Sequence, residues 1–277
     1  MFKTRLASGI VIAITMILFM WLGGIYLTLL LLAVSVIGMY EFYHAVGILD
    51  DGKYIDLITG IGYAGTVVYY CVLYVTKCDL FYILFVCVAL LLVMLAAYVF
   101  TFPTYNAKEI ICSFYGFFYV SVMLGFIYMT RCLEDGIFII WLIITSSWLC
   151  DVFAYFTGML IGKHKLAPVL SPKKSIEGAI GGIVFPAIIA GVFGYFIRDY
   201  FTAGFPVVTA FAVLTGVGAA VSQIGDLSAS AVKRNNDIKD YGSLIPGHGG
   251  ILDRFDSMIF TAPMIYFIAV CFMSSAK

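Results

Sequence analysis

No charged residue occurs between Leu6 and Tyr40, and this constrains the chain more than any other feature. Spanning a bilayer takes about 20 apolar residues, so this one run is long enough for two spans. Comparable runs recur to the C-terminal end. In hydrocarbon a segment must satisfy its own backbone polar groups, which leaves helices or a closed barrel. The ten-residue alternation of a barrel is absent. The chain is 63% hydrophobic and 12% charged, against about 45–50% apolar in soluble domains. The predicted fold is therefore all-α, a polytopic integral membrane protein with about nine transmembrane helices.

Spans are predicted at about 6–22, 25–45, 57–76, 81–101, 110–130, 137–161, 179–197, 204–232 and 252–273, with the first pair turning at Gly23-Gly24. The opening MFKTRL and the apolar run after it look like a signal peptide. That run, however, far exceeds a 7–15-residue signal core, so both spans are expected to be retained. The sequence divides into N-terminal helices over 1–135 and C-terminal helices over 136–277, which carry the polar motifs, within one membrane domain.

With nine spans, Lys3, Arg5, Lys53, Lys108, Lys163, Lys165, Lys173, Lys174, Lys233, Arg234, Lys239 and Arg254 fall on one side. Only Lys77, Arg131, Arg198 and Lys277 fall on the other. Basic loops stay cytoplasmic, which puts the N-terminus and both long polar loops in the compartment that holds nucleotides. Net charge is zero, so no global field points to nucleic acid. Cys71, Cys87, Cys112, Cys150 and Cys271 sit in apolar runs without a C-x-x-C pair and read as small core residues.

Polar chemistry concentrates in Ser222–Asp256, SQIGDLSASAVKRNNDIKDYGSLIPGHGGILDRFD. At helical spacing Ser222, Asp226 and Ser230 share a stripe, with Gln223 beside the aspartate. A carboxylate at that depth faces a wet cavity, a partner or a cation. Pairing with Lys233 or Arg234 is the bland alternative. Asp253 and Asp256 open the last span, where helix capping alone could account for one of them. Together, Asp226, Asp253 and Asp256 form the hard-oxygen set that magnesium uses when it also holds phosphates.

The cations complement these acids. Lys233, Arg234 and Lys239 follow Asp226, and S-P-K-K-S-I-E-G supplies Lys173, Lys174 and Ser175. Such groups can neutralise a polyphosphate, and a helix starting near Ser175 can itself hold an anion. Lys163 and Lys165 read as topogenic charges. His248, between Gly247 and Gly249-Gly250, is either a turn residue or a phosphate-contacting or acid–base group. Asp151 in D-V-F-A-Y-F-T-G is an intramembrane acid whose role as metal, nucleotide or scaffold group stays open. Gly178-Ala-Ile-Gly-Gly182 is a small-residue face suited to helix packing. Neither a P-loop nor a dinucleotide fingerprint is present.

The run Ser230–Asp256, S-A-V-K-R-N-N-D-I-K-D-Y-G-S-L-I-P-G-H-G-G-I-L-D-R-F-D, resembles the signature of the phosphatidate cytidylyltransferases of bacterial type. D-V-F-A-Y-F-T-G and S-P-K-K-S-I-E-G-A-I-G-G resemble that family's other motifs, in the expected order. The resemblance implies transfer of CMP from CTP to phosphatidic acid, giving CDP-diacylglycerol and diphosphate, in a multi-pass protein of the bacterial inner membrane. By similarity Asp226 and Asp253 are magnesium ligands supported by Asp256, with room for a second cation and for a homodimer. Lys233, Arg234, Lys239 and His248 then neutralise phosphates, and Lys173, Lys174 and Ser175 meet the triphosphate or the lipid headgroup. Asp151 matches an intramembrane aspartate of the family. Two other readings compete: a CTP-dependent kinase or cytidylyltransferase acting on another lipid, and a cation-coupled transporter. The transporter expects a midplane site and inverted repeats, whereas here the polar residues crowd one edge.

Overall fold

The computed structural model describes residues 2–49, 55–202, 204–245, 247 and 249–275. His248 lies outside the described residues. Nine helices run through them: α1 Phe2–Leu22, α2 Gly24–Ala45, α3 Leu57–Val75, α4 Leu80–Thr101, α5 Ala107–Arg131, α6 Gly136–Ile161, α7 Ile176–Ile197, α8 Val207–Asn235 and α9 Leu252–Ser275. All but α1 are long and apolar enough to cross a membrane, and α1 contributes the shorter apolar stretch Ala7–Leu22. The protein is thus an all-α polytopic membrane protein, as expected from its uncharged runs. The sequence reading did not include a short antiparallel hairpin, β1 Lys165–Ala167 with β2 Ser171–Ser175, paired Lys165 to Ser175 and Ala167 to Ser171.

Local chemistry sets the helix starts. Asp56 and Thr59 form a capping box at α3, and Asn106 and Glu109 form another at α5. Each box satisfies two of the amides that a helix N-terminus leaves open. Ser175 caps α7 by accepting the Gly178 N–H at 3.2 Å, so β2 runs directly into that helix.

The chain packs as two compact units, Met1–Tyr128 with Asn235–Phe255, and Met129–Arg234 with Asp256–Lys277. A division by motif at residue 135 follows the sequence, whereas these units follow packing. In the first, hydroxyls knit α2, α3 and α5 together. Ser35 Oγ lies 2.8 Å from Tyr70 OH, Thr66 Oγ1 lies 2.9 Å from Ser121 Oγ, and Tyr43 OH donates to Ser113 O at 3.0 Å. A π-turn at Phe117–Val122 interrupts α5. There Tyr70 OH donates to Ser121 O at 3.1 Å and Tyr69 OH to Val122 O at 3.3 Å. Such a turn disturbs the regular ladder, and the tyrosines serve its carbonyls where water cannot.

The second unit is built around close contact of α6 and α7. A side chain at Gly178 would meet Ala154 O, and one at Gly182 would meet Cys150 and Ala154. The small-residue face expected to serve packing does so. A π-turn at Thr145–Leu149 lies in α6, and Ser146 Oγ donates from it to Thr215 O of α8 at 3.3 Å.

Candidate active site

The second unit holds a cavity of about 400 Å³ whose lining includes Asp151, Tyr155, Lys173, Lys174, Ser175, Gln223 and Asp226. Five of these were expected from sequence to bind substrate or metal: Asp151, Lys173, Lys174, Ser175 and Asp226. Three elements supply them. Asp151 comes from α6, the lysines and Ser175 from β2 at its junction with α7, and Asp226 from α8. Consecutive strand residues point to opposite faces, which sets the two lysines apart. Lys174 is half-buried and pairs with Asp226 Oδ2, whereas Lys173 is exposed.

Two further contacts fix this geometry. Gln223, one turn before Asp226, donates from Nε2 to Ala179 O in the first turn of α7 at 3.0 Å. That bond ties α8 to the helix that follows the lysines. Glu177 accepts the Lys163 N–H at 3.0 Å and lies 2.6 Å from His164 Nδ1, which anchors the entry to the hairpin. Sequence reasoning noted Gln223 only as a neighbour and did not pair Asp226 with Lys174, having considered Lys233 or Arg234 instead. The partner arrives from a different loop, which helical spacing cannot reveal.

Asp256 is buried, and Asp226, Lys233 and Asp151 are near enough for their charges to act on it. Its Oδ1 accepts the Ser257 N–H at 2.7 Å. Arg234 is exposed at the end of α8 and lines no part of the cavity. Among the described residues, no three His, Cys, Asp or Glu side chains gather closely enough to enclose a metal ion. Magnesium does not require such a cage, because one or two carboxylates, waters and substrate phosphates complete its shell. The oxygen donors of Asp226 and Asp256 suit that chemistry, and the Lys174 ammonium shows that Asp226 already accommodates a cation.

In the first unit the glycine-rich loop before α9 wraps around carboxylates. Asp253 Oδ2 accepts the N–H groups of Tyr241 at 2.8 Å and Gly250 at 3.0 Å. One of its oxygens is therefore committed to ordering the loop, through amides that lie outside α9 rather than by capping that helix. Glu41 of α2 accepts from the Ile251 N–H at 2.9 Å and the Leu252 N–H at 2.8 Å. Sequence reasoning missed Glu41. The available signal was an acid in a span that is uncharged up to Tyr40. A second cavity, of about 510 Å³, is lined by Lys239, Asp240, Gly242, Ser243, Ile245, Gly247, Gly249 and Arg254. It contains the expected Lys239 and adds Arg254, which was not among the residues expected from sequence to bind substrate.

Comparison with known proteins agrees with these observations. The Cytidylyltransferase family model matches residues 3–272. A phosphatidate cytidylyltransferase of Bacillus subtilis is 29% identical over 98% of both chains. One from Staphylococcus aureus is 39% identical over 55% of this chain and 56% of its own. One from Thermotoga maritima is 38% identical over 46% of this chain and 47% of its own. The family match reaches into every helix and covers the two cavities described above, and on that ground the chain belongs to the cytidylyltransferase family.

Proposed function

We propose that this protein transfers CMP from CTP to phosphatidic acid, releasing diphosphate and forming CDP-diacylglycerol for phospholipid synthesis. The observation that carries this reading is the cavity that gathers Asp151, Lys173, Lys174, Ser175 and Asp226. Both substrates bear phosphate, and each unit has a cavity with two basic side chains, Lys173 and Lys174 in one and Lys239 and Arg254 in the other. The nucleophile, a phosphatidate oxygen, is already anionic, so the site needs no strong base. Its task is to hold two anions in line and cancel their repulsion.

Lys173 and Lys174 supply positive charge, and Ser175 and the α7 N-terminus offer a place for a phosphate oxygen. Asp226 holds Lys174 through their ion pair. Lys239 and Arg254 bring charge to the glycine-lined cavity, where small residues permit close backbone approach to a phosphate. Asp226 and Asp256 would hold magnesium, which when bound neutralises charge that develops on the leaving diphosphate. The excess of basic residues on one side supports an inner-membrane protein whose N-terminus and polar loops are cytoplasmic.

The test is direct. Protein purified in detergent and given radiolabelled CTP, phosphatidic acid and magnesium should yield a nucleotide-bearing lipid and diphosphate. Chelation should stop the reaction and added magnesium restore it. Asp226→Asn and Asp256→Asn should each lower turnover by roughly 10²-fold or more while preserving folded protein. Product formation on another lipid but not on phosphatidic acid would replace the substrate assignment. Ion flux without any nucleotide would favour a transporter.

A further inference from the structure

We propose that Glu41 is a positioning residue for the transfer reaction, a clamp that sets the glycine-rich loop and the first turn of α9. This inference rests on the proposed function, because that loop is there assigned to phosphate contact. Glu41 is 4% exposed, and both of its oxygens are engaged, Oε1 by the Ile251 N–H and Oε2 by the Leu252 N–H. These are the first amides of α9, which a helix leaves unsatisfied and which favour negative charge. A cap normally comes from a residue next to the helix start. Here Gly250 and Ile251 stand at that start and offer no side-chain acceptor. The acceptor comes instead from α2, 210 residues earlier in sequence.

The loop is fitted to that carboxylate. A Cβ at either Gly242 or Gly250 would collide with Glu41, so both glycines are explained by the acid they enclose. Asp253 completes the clamp by taking the Tyr241 and Gly250 amides. Two carboxylates thus fix backbone groups on both sides of the segment that contributes Gly242, Ser243, Gly247 and Gly249 to the cavity holding Lys239 and Arg254. Both Glu41 oxygens are taken by backbone amides of the loop's end, so its proposed effect on transfer is through the loop.

The experiment compares full-length wild type with Glu41→Gln, Glu41→Ala, Gly250→Ala and the Glu41→Ala/Gly250→Ala double variant in detergent. Readouts are kcat, KM for CTP and for phosphatidic acid, and hydrogen exchange across residues 241–252. Gln keeps the shape but turns an N–H₂ toward a backbone N–H. Glu41→Gln should lower kcat about 10–100-fold, the range typical of residues that orient a site's ligands. KM for the lipid should stay within about twofold, and exchange across the loop should rise. Gly250→Ala should do similar damage alone but add little once Glu41 is alanine, because the colliding carboxylate is gone. A purely structural role would lower the yield of folded protein and leave kcat of the folded fraction unchanged. That result, or full additivity in the double variant, would overturn the proposal. If Glu41→Ala does not fold, the near-isosteric Glu41→Gln decides by its kcat and exchange. If wild type is inert toward CTP and phosphatidic acid, the function reading fails. Exchange still reports then on the clamp: unchanged protection in Glu41→Gln sinks it, and lost protection retains it as a loop-ordering device.

Discussion

Lys174 can be read as a phosphate ligand held in readiness. Its ion pair with Asp226 leaves both side chains about a quarter exposed, at 24% and 28%, so water screens the pair and its contribution to stability is modest. The larger effect is expected in turnover. Lys174→Met should lower kcat by roughly 10²-fold, and the Lys174→Met/Asp226→Asn double variant should be little worse than either single change, because groups acting as a unit are not additive. Steady-state rates on folded, detergent-purified variants check this. The sequence made the types of these residues legible, because charge is conspicuous in an apolar chain. Their pairing was not legible, because Lys174 and Asp226 lie on different elements and only the packing of α7 on α8, with Gln223 on Ala179, defines the distance. Glu41 went unread for the opposite reason: a single acid at the end of a long span resembles a boundary residue until its amide partners are known.

At the level of elements, the junction of β2 with α7 links stability to the site. Ser175 both caps the helix and lines the cavity. Ser175→Ala should therefore cost about 1 kcal/mol, a fall of roughly 2–4 °C in thermal midpoint, accompanied by reduced activity; thermal scans and assays of the same preparation check both. Ser175→Asp keeps a capping oxygen but adds a negative charge where a phosphate is expected. It should restore the midpoint without restoring activity. All nine helices were legible because the bilayer demands long uncharged runs, and one start was legible near Ser175; the caps at Asp56 and Asn106 emerged only with the structure. The hairpin at Lys165–Ser175 was not, since a few polar residues between spans carry too little period to separate strand from loop. The π-turns at Phe117–Val122 and Thr145–Leu149 leave no mark in hydropathy, because they depend on which carbonyls find hydroxyl donors.

For the molecule as a whole, the orientation proposed from charge can be measured. In a cysteine-free background, Lys239→Cys should react with a membrane-impermeant maleimide only in inverted vesicles, and Arg198→Cys only in right-side-out ones. The reverse pattern would place the polar loops outside and deny them nucleotide. The compact units also join stretches that sequence order separates. Residues 235–255 belong to the same compact unit as the first 128 residues, and the Glu41 hydrogen bonds to Ile251 and Leu252 lie within that unit. A fragment starting at Met129 would retain Asp151, Lys174, Asp226, Asp256 and the entire glycine-rich segment, yet Ile251 and Leu252 would have lost their acceptor. Truncation should therefore yield no minimal enzyme, and supplying the missing N-terminal helices as a separate polypeptide offers a route to complementation.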